Sequence, residues 1–322
     1  MSTYTSLKGI SNFGDAQLTQ QLEHNLVEFF KWGLLGVGAF FNVTIPSSGA
    51  YGGVYNRLRP VTEDLNYTDG QVWEGFRKDW IWESGIEYGY QPIQISGVYV
   101  NNVFYPSSTA GTYSHYINYP LGQVVFNNAI STNSVVSLEY SYRWIQIYAA
   151  STVPFFQELM TNSWRVDNPT FFAQGSGLWN VLSQNRVQLP AVYVEAVPNA
   201  KLKGYQLGGG QIVDQDVLFH IFSEDKFSKD QLTDIVKQQQ DKTIWTFDRN
   251  LMMDNNAYPL DYRGEKTSGA KCYPALVSAV EDGGYRWKKA IFINNYSQDL
   301  GITNGIYRSV VRATMQIIMP EI

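Results

Sequence analysis

The stretch Val136-Ser137-Leu138-Glu139-Tyr140-Ser141-Tyr142-Arg143-Trp144 decides the fold class of this chain. Val136, Leu138, Tyr140, Tyr142 and Trp144 fall on one side, and Ser137, Glu139, Ser141 and Arg143 on the other. Side chains of a β-strand alternate between faces, so the pattern predicts one long strand of an antiparallel sheet with one wet face. The text upstream agrees. Ile93-Gln94-Ile95 leads into Val98-Tyr99-Val100, an Asn101-Asn102 turn and Val103-Phe104-Tyr105, which reads as a hairpin. Gln123–Phe126 followed by Asn127-Asn128 reads as another strand and turn. Residues 45–150 are therefore predicted as a β-rich domain of sandwich or barrel type.

Before this block the pattern is helical. From Asp15, a candidate cap, to Trp32, the residues Leu18, Leu22, Leu26, Phe29 and Phe30 share one face, with Gln20, Gln21, Glu23 and Lys31 opposite. Gly33, Gly36 and Gly38 are predicted to end the helix and leave Leu34, Leu35, Phe40 and Phe41 in a strand-like run. Residues 1–44 are assigned to pack on the C-terminal domain. Residues 151–186 read as a connector with a short helix near Leu178–Leu182.

Residues 187–322 are predicted as an α+β domain. Pro190–Val197 reads as a strand, Lys203–Leu207 with Gly208-Gly209-Gly210 as a second strand or a turn, and Asp216–Phe222, apolar on both faces, as a buried central strand. Ser228 with Gln231 three residues on makes a capping box, and Phe227 with Leu232 a hydrophobic staple, opening a helix with Ile235 and Val236 in its buried stripe. Thr243–Phe247 returns as a strand, and Gly305–Met319 alternates over some 40 Å at the usual rise. The class is α+β, mainly antiparallel β.

Composition narrows the function. Of 322 residues only 16% are charged while 15% are aromatic. Interfaces enrich aromatics and deplete Lys and Glu, so the balance favours an assembly subunit over a secreted β-protein with a polar, uncharged surface. A net charge of −5 argues against a dedicated nucleic-acid binder. Arg286-Trp287-Lys288-Lys289 is the sole basic cluster. The single Cys272 excludes an internal disulfide. Asn42-Val43-Thr44, Asn66-Tyr67-Thr68 and Asn295-Tyr296-Ser297 match the glycosylation pattern, but the polar start lacks an apolar signal region and they read as chance. The stretch Leu26–Val43 is too interrupted by charge and glycine for a membrane span.

No catalytic, metal or cofactor constellation stands out. His24, His115 and His220 are far apart, and metal-ligand spacings, a phosphate loop and a nucleophile elbow are missing. One cluster carries an alternative. Trp73, Glu74, Asp79, Trp80, Trp82, Glu83 and Glu87 combine acids with indoles, as a carbohydrate site or glycosidase cleft does. Val72, Phe76 and Trp80 also fall at helical spacing, with Arg77 and Lys78 available to pair the acids, and packing is the favoured reading.

The N-terminal helix, Leu189–Glu195, Val217–Phe222, and the capped helix with further strands resemble neck and tail-completion proteins of tailed bacteriophages, most of all tail terminators. The likeness spans residues 15–35 and 187–322 and is one of element order; the chain is longer than that pattern, with the β-rich block as an insertion or added domain. The resemblance implies a sheet flanked by helices, no catalytic residue and no cofactor, and a homo-oligomeric ring, commonly a hexamer. Its implied partners are neighbouring neck, tail-tube or sheath proteins, with non-specific contact to packaged DNA, in a virion built in the host cytoplasm. Tyr307, Arg308, Arg312, Trp287 and Trp144 are the candidate interface residues, and Gly305–Met319 a candidate sheet edge.

Overall fold

The computed structural model describes residues 17–45, 54–62, 64–152, 188–206, 209–278, 289–303 and 306–319. The predicted cap Asp15, the helix near Leu178–Leu182 and Trp287 lie outside them.

Helix α1 (Leu18–Gly36) buries Leu22, Leu26 and Phe30, the predicted stripe. It runs through Gly33 and Gly36 because Leu34 and Leu35 are themselves buried, and tertiary packing outweighs the propensity cost of glycine. The chain turns at Gly38, whose φ of +82° suits glycine and where the Tyr88 ring leaves no room for a Cβ. The expected wet side of α1 is wet only in part, at Gln20 and Lys31. Gln21 and Glu23 are buried, and Glu23 Oε1 accepts the Ser151 N–H at 2.8 Å.

Strand β1 (Phe40–Val43) pairs antiparallel with β9 (Tyr140–Arg143). Between them β2 (Arg57–Pro60), β3 (Val72–Glu74), β4 (Gly97–Val100), β5 (Val103–Pro106), β6 (His115–Asn118), β7 (Gln123–Phe126) and β8 (Val136–Ser137) form an antiparallel sheet in the order β5-β4-β8-β2-β3-β7-β6. It surrounds an aromatic core that includes Trp73, Phe76, Trp80, Phe126, Tyr140 and Tyr142. The predicted hairpin is β4–β5. Asn101 and Asn102 both take positive φ, 51° and 67°, the two left-handed residues of a type I′ turn.

The deciding stretch is two strands, not one. β8 pairs with β2 and β4, whereas β9 leaves that sheet for β1. Its polar side is also covered. Ser141 is fully buried, donating to Asn42 Oδ1 at 2.6 Å and accepting the Ile93 N–H at 2.7 Å, and Arg143 is buried among carboxylates. Alternation identified two faces correctly, but a polar side chain can also be buried when its hydrogen bonds are satisfied.

β10 (Gln146–Ala149), β11 (Ala191–Gln206), β12 (Gly209–Ser223), β13 (Thr243–Trp245), β14 (Lys289–Thr303) and β15 (Ile306–Met319) make the second large sheet, in the order β10-β11-β12-β15-β14-β13. Only β10–β11 is parallel. α1 and α2 (Lys226–Lys237) cover one face, over Val194, Val217, Phe219, Val311, Ala313, Met315 and Ile317. Two short helices, α3 (Arg249–Asp254) and α4 (Tyr273–Ser278), follow β13. The strand, and the second strand or turn, predicted in 190–207 are the single strand β11, irregular between Ala196 and Ala200. Strand β12 is central as predicted, yet only one face is sealed: Leu218 and His220 are half-buried on the other.

The cap of α2 is Asp225, whose Oδ1 accepts the Ser228 N–H at 2.7 Å. Ser228 lies inside the helix, and Phe227 is 76% exposed, so the staple is not made. An aspartate at the capping position serves the same free donors as the predicted serine.

The seam between the two cores is polar. Arg77 is fully buried, donating to Leu189 O at 3.2 Å and Trp144 O at 2.9 Å. Gln188 donates to Phe76 O at 2.6 Å and accepts the Lys78 N–H at 2.7 Å. These bonds fix where β11 begins relative to the β-rich block.

Candidate functional site

The face of the six-stranded sheet opposite α1 and α2 is open and polar along Asp214, Asp216, Arg312, Thr314 and Gln316, while at its other end Ala191, Tyr193 and Phe222 are buried. The register sets Asp216 beside Thr314 and Asp214 beside Gln316. Asp216 accepts from Arg312 Nη2 at 2.5 Å and Thr314 Oγ1 at 3.0 Å. Asp214 accepts from Lys203 Nζ at 2.7 Å and Gln316 Nε2 at 3.1 Å. Partial burial pushes the Asp214 carboxyl up, but these donors more than offset it and hold it below the ordinary range. His220 Nε2 meets Glu195 Oε2 at 2.7 Å. Such exposed pairs add roughly 0–1 kcal/mol each, so the ladder sets the surface character more than the stability.

The edges of this sheet are the larger feature. β10 pairs with β11 only along Ala191–Val194, and among the described residues nothing pairs with the outer side of β11 from Glu195 to Gln206. β13 pairs with β14 along Lys289–Ile291, Phe292 bonds to Asp241 and Lys242, and among the described residues nothing pairs with the outer side of β14 from there to Thr303. Each free edge runs about 35–40 Å at the usual rise. Leu202 and Tyr205 on one edge, and Tyr296 and Leu300 on the other, are between 41% and 68% exposed.

No protein-family model matches the chain, and no curated protein matches it.

The predicted interface residues scatter. Arg308 and Arg312 lie on the open face, Arg308 over the Phe222 ring at 5.4 Å. Tyr307 is half-buried at the start of β15, paired with Ser223 and Ile302. Trp144 belongs to the seam, 5.0 Å over the Arg77 guanidinium. The described part of the predicted edge Gly305–Met319 is β15, an interior strand between β12 and β14, because alternation fixes the two faces of a strand and not whether its backbone has partners on both sides. The free edges on β11 and β14 were missed: their exposed Leu202, Tyr205, Tyr296 and Leu300 were the available signal, but exposure is not written in sequence.

The acid and tryptophan cluster is split by the fold. Val72–Glu74 is strand β3, not helix, and Trp73, Trp80 and Trp82 are 1%, 0% and 5% exposed, so none presents a face to solvent as a broad platform. Trp73 Nε1 donates to Gly70 O and Trp80 Nε1 to Arg77 O, each at 2.9 Å. Glu74 pairs with Arg59, and Asp79 and Glu83 share Arg143, in place of the expected Arg77 and Lys78. Burial holds the Glu83 carboxyl above the ordinary range despite the pull of Arg143. Glu87 is exposed. Asp79, Trp80, Trp82 and Glu83 nevertheless line a cleft of about 530 Å³, closed on its other sides by α1 and the segment following α3. Among the described residues no group of His, Cys, Asp and Glu is placed to hold a metal, and no helix is long and apolar enough to cross a membrane.

Proposed function

We propose that the chain is a non-enzymatic structural subunit of a tailed-phage virion that assembles with copies of itself into a ring at the neck or tail. One observation carries this reading: among the described residues the six-stranded sheet has a long unpaired edge on each flank, and the two run in opposite directions. β11, β12, β15 and β14 are successively antiparallel, so β11 points up where β14 points down. The free part of β11 is level with the β13-covered end of β14, so a β14–β11 contact between copies in one orientation is antiparallel and offset along the strands, a head-to-tail contact. Such contacts generate rings when the rotation closes. Unpaired edge groups and exposed apolar side chains are what strand addition consumes. The resemblance in element order to tail terminators, which implies a sheet flanked by helices, is the second support for this reading.

The test is light scattering coupled to size exclusion, with electron microscopy of the purified protein. Rings or stacks are expected. Leu202→Lys with Tyr205→Lys on β11, or Tyr296→Lys with Leu300→Lys on β14, should yield folded monomers, since all four positions are exposed. A wild-type protein that stays monomeric at high concentration and in the presence of neighbouring neck proteins refutes the reading.

A further inference from the structure

The cleft beside Asp79 and Arg143 belongs to no part of the assembly reading. It lies where three segments meet: Glu28 and Lys31 of α1, the β-rich block from Asp79 to Arg143, and residues 249–264. Its volume falls within the roughly 300–1,000 Å³ of small-molecule sites, which favour such junctions. Four acids (Glu28, Asp79, Glu83, Asp261) face four bases (Lys31, Arg143, Arg249, Arg263), so the cleft suits a ligand without net charge.

Hydrogen bonding narrows the ligand further. Asp79, 6% exposed, gives Oδ1 to Arg143 Nη1 at 3.1 Å, while its Oδ2 is buried with no donor. Arg143 Nε is buried with no acceptor. One ion pair thus holds an unused acceptor and an unused donor. An ammonium ion would satisfy the first alone, and a phosphate or carboxylate the second alone. A hydroxyl group satisfies both. The edges of the buried Trp82 and Tyr119 and the ring of Tyr258 line this point, and Tyr262 stands 88% exposed at the lip.

We propose that this cleft binds a neutral polyhydroxylated ligand of the saccharide class, with hydroxyls hydrogen-bonding to the Asp79–Arg143 pair and Tyr262 covering a face of the ring. Of the sequence-level carbohydrate cluster only Asp79, Trp80, Trp82 and Glu83 take part; Trp73 and Glu74 do not.

The experiment titrates the full chain with millimolar methyl glycosides of glucose, galactose, mannose and N-acetylglucosamine. Binding is read by tryptophan fluorescence, to which Trp80 and Trp82 report, and by ligand-observed NMR. At least one glycoside is expected to bind. Tyr262→Ala should weaken it about two- to tenfold, the worth of one aromatic face, with no change in circular dichroism. Asp79→Asn should weaken it about tenfold or more. Binding of none of the four, equal binding by both variants and the wild type, or preferential binding of inorganic phosphate or putrescine would each overturn the assignment. Neither Asp79 nor Tyr262 lies on β11 or β14, so loss of glycoside binding and loss of assembly are separable outcomes.

Discussion

Replacing Arg143 with methionine is the sharpest test of how the β-rich block is held together. The side chain is 4% exposed and serves two carboxylates that are themselves 9% and 4% exposed, Asp79 and Glu83. It also reaches Trp80 O at 3.4 Å. Methionine keeps much of the stem packing but strands both acids in the core. Breaking a buried pair from one side costs about 3–5 kcal/mol, because the remaining charge has lost its compensation. At roughly 2 °C per kcal/mol for a chain of this size, the melting temperature should fall by about 6–10 °C.

The pH dependence makes this prediction specific. Burial already holds Glu83 above its ordinary range, and removing Arg143 raises it further. A carboxyl whose folded pKa exceeds its unfolded value favours the fold when protonated. That contribution is complete below the unfolded pKa and is lost as pH climbs through the folded one. The deficit of the variant should therefore be largest near pH 8 and smaller near pH 5. Urea denaturation followed by fluorescence at both pH values measures it. A loss below about 1 kcal/mol, or one that is the same at both, refutes the account of the triad as a buried ion pair.

Three further outcomes are expected. His24 is held down to about 4 by burial and by Arg249, whose Nη1 donates to His24 Nε2 at 2.9 Å; its neutral form favours the fold above 6.5, and that support fades as pH falls from there through about 4. NMR of the ring should show the low midpoint, and His24→Gln should flatten the stability profile in this window. Gly70→Ala places a Cβ 2.0 Å from the Ile130 carbonyl at a φ of +88° and should cost roughly 2–4 kcal/mol by denaturant titration. Asp225→Ala removes the cap of α2 and should cost about 1 kcal/mol, whereas Ser228→Ala, the change the sequence alone would favour as the damaging one, should be close to neutral.

What could be read from residue order was local. The 3.6-residue period from Leu18 to Phe30 gave α1, the Asn101-Asn102 pair gave the hairpin turn, and the long alternation after Gly305 gave β15. These signals survive because each depends on neighbours in the chain. The class, α+β and mainly antiparallel, followed from them.

Tertiary structure decided what those elements face. Whether a strand is interior or edge depends on partners far away in sequence, so β15 was taken for an edge while the free flanks of β11 and β14 went unseen. Whether an acid is a site or a brace depends on the cation that the fold brings to it. Arg143 lies sixty residues or more beyond Asp79 and Glu83, and only folding sets them together. The cleft likewise draws on α1, the β-rich block and the segment after α3 at once. Local propensity specifies elements; long-range pairing specifies surfaces, and both the assembly edges and the candidate ligand cleft are surfaces.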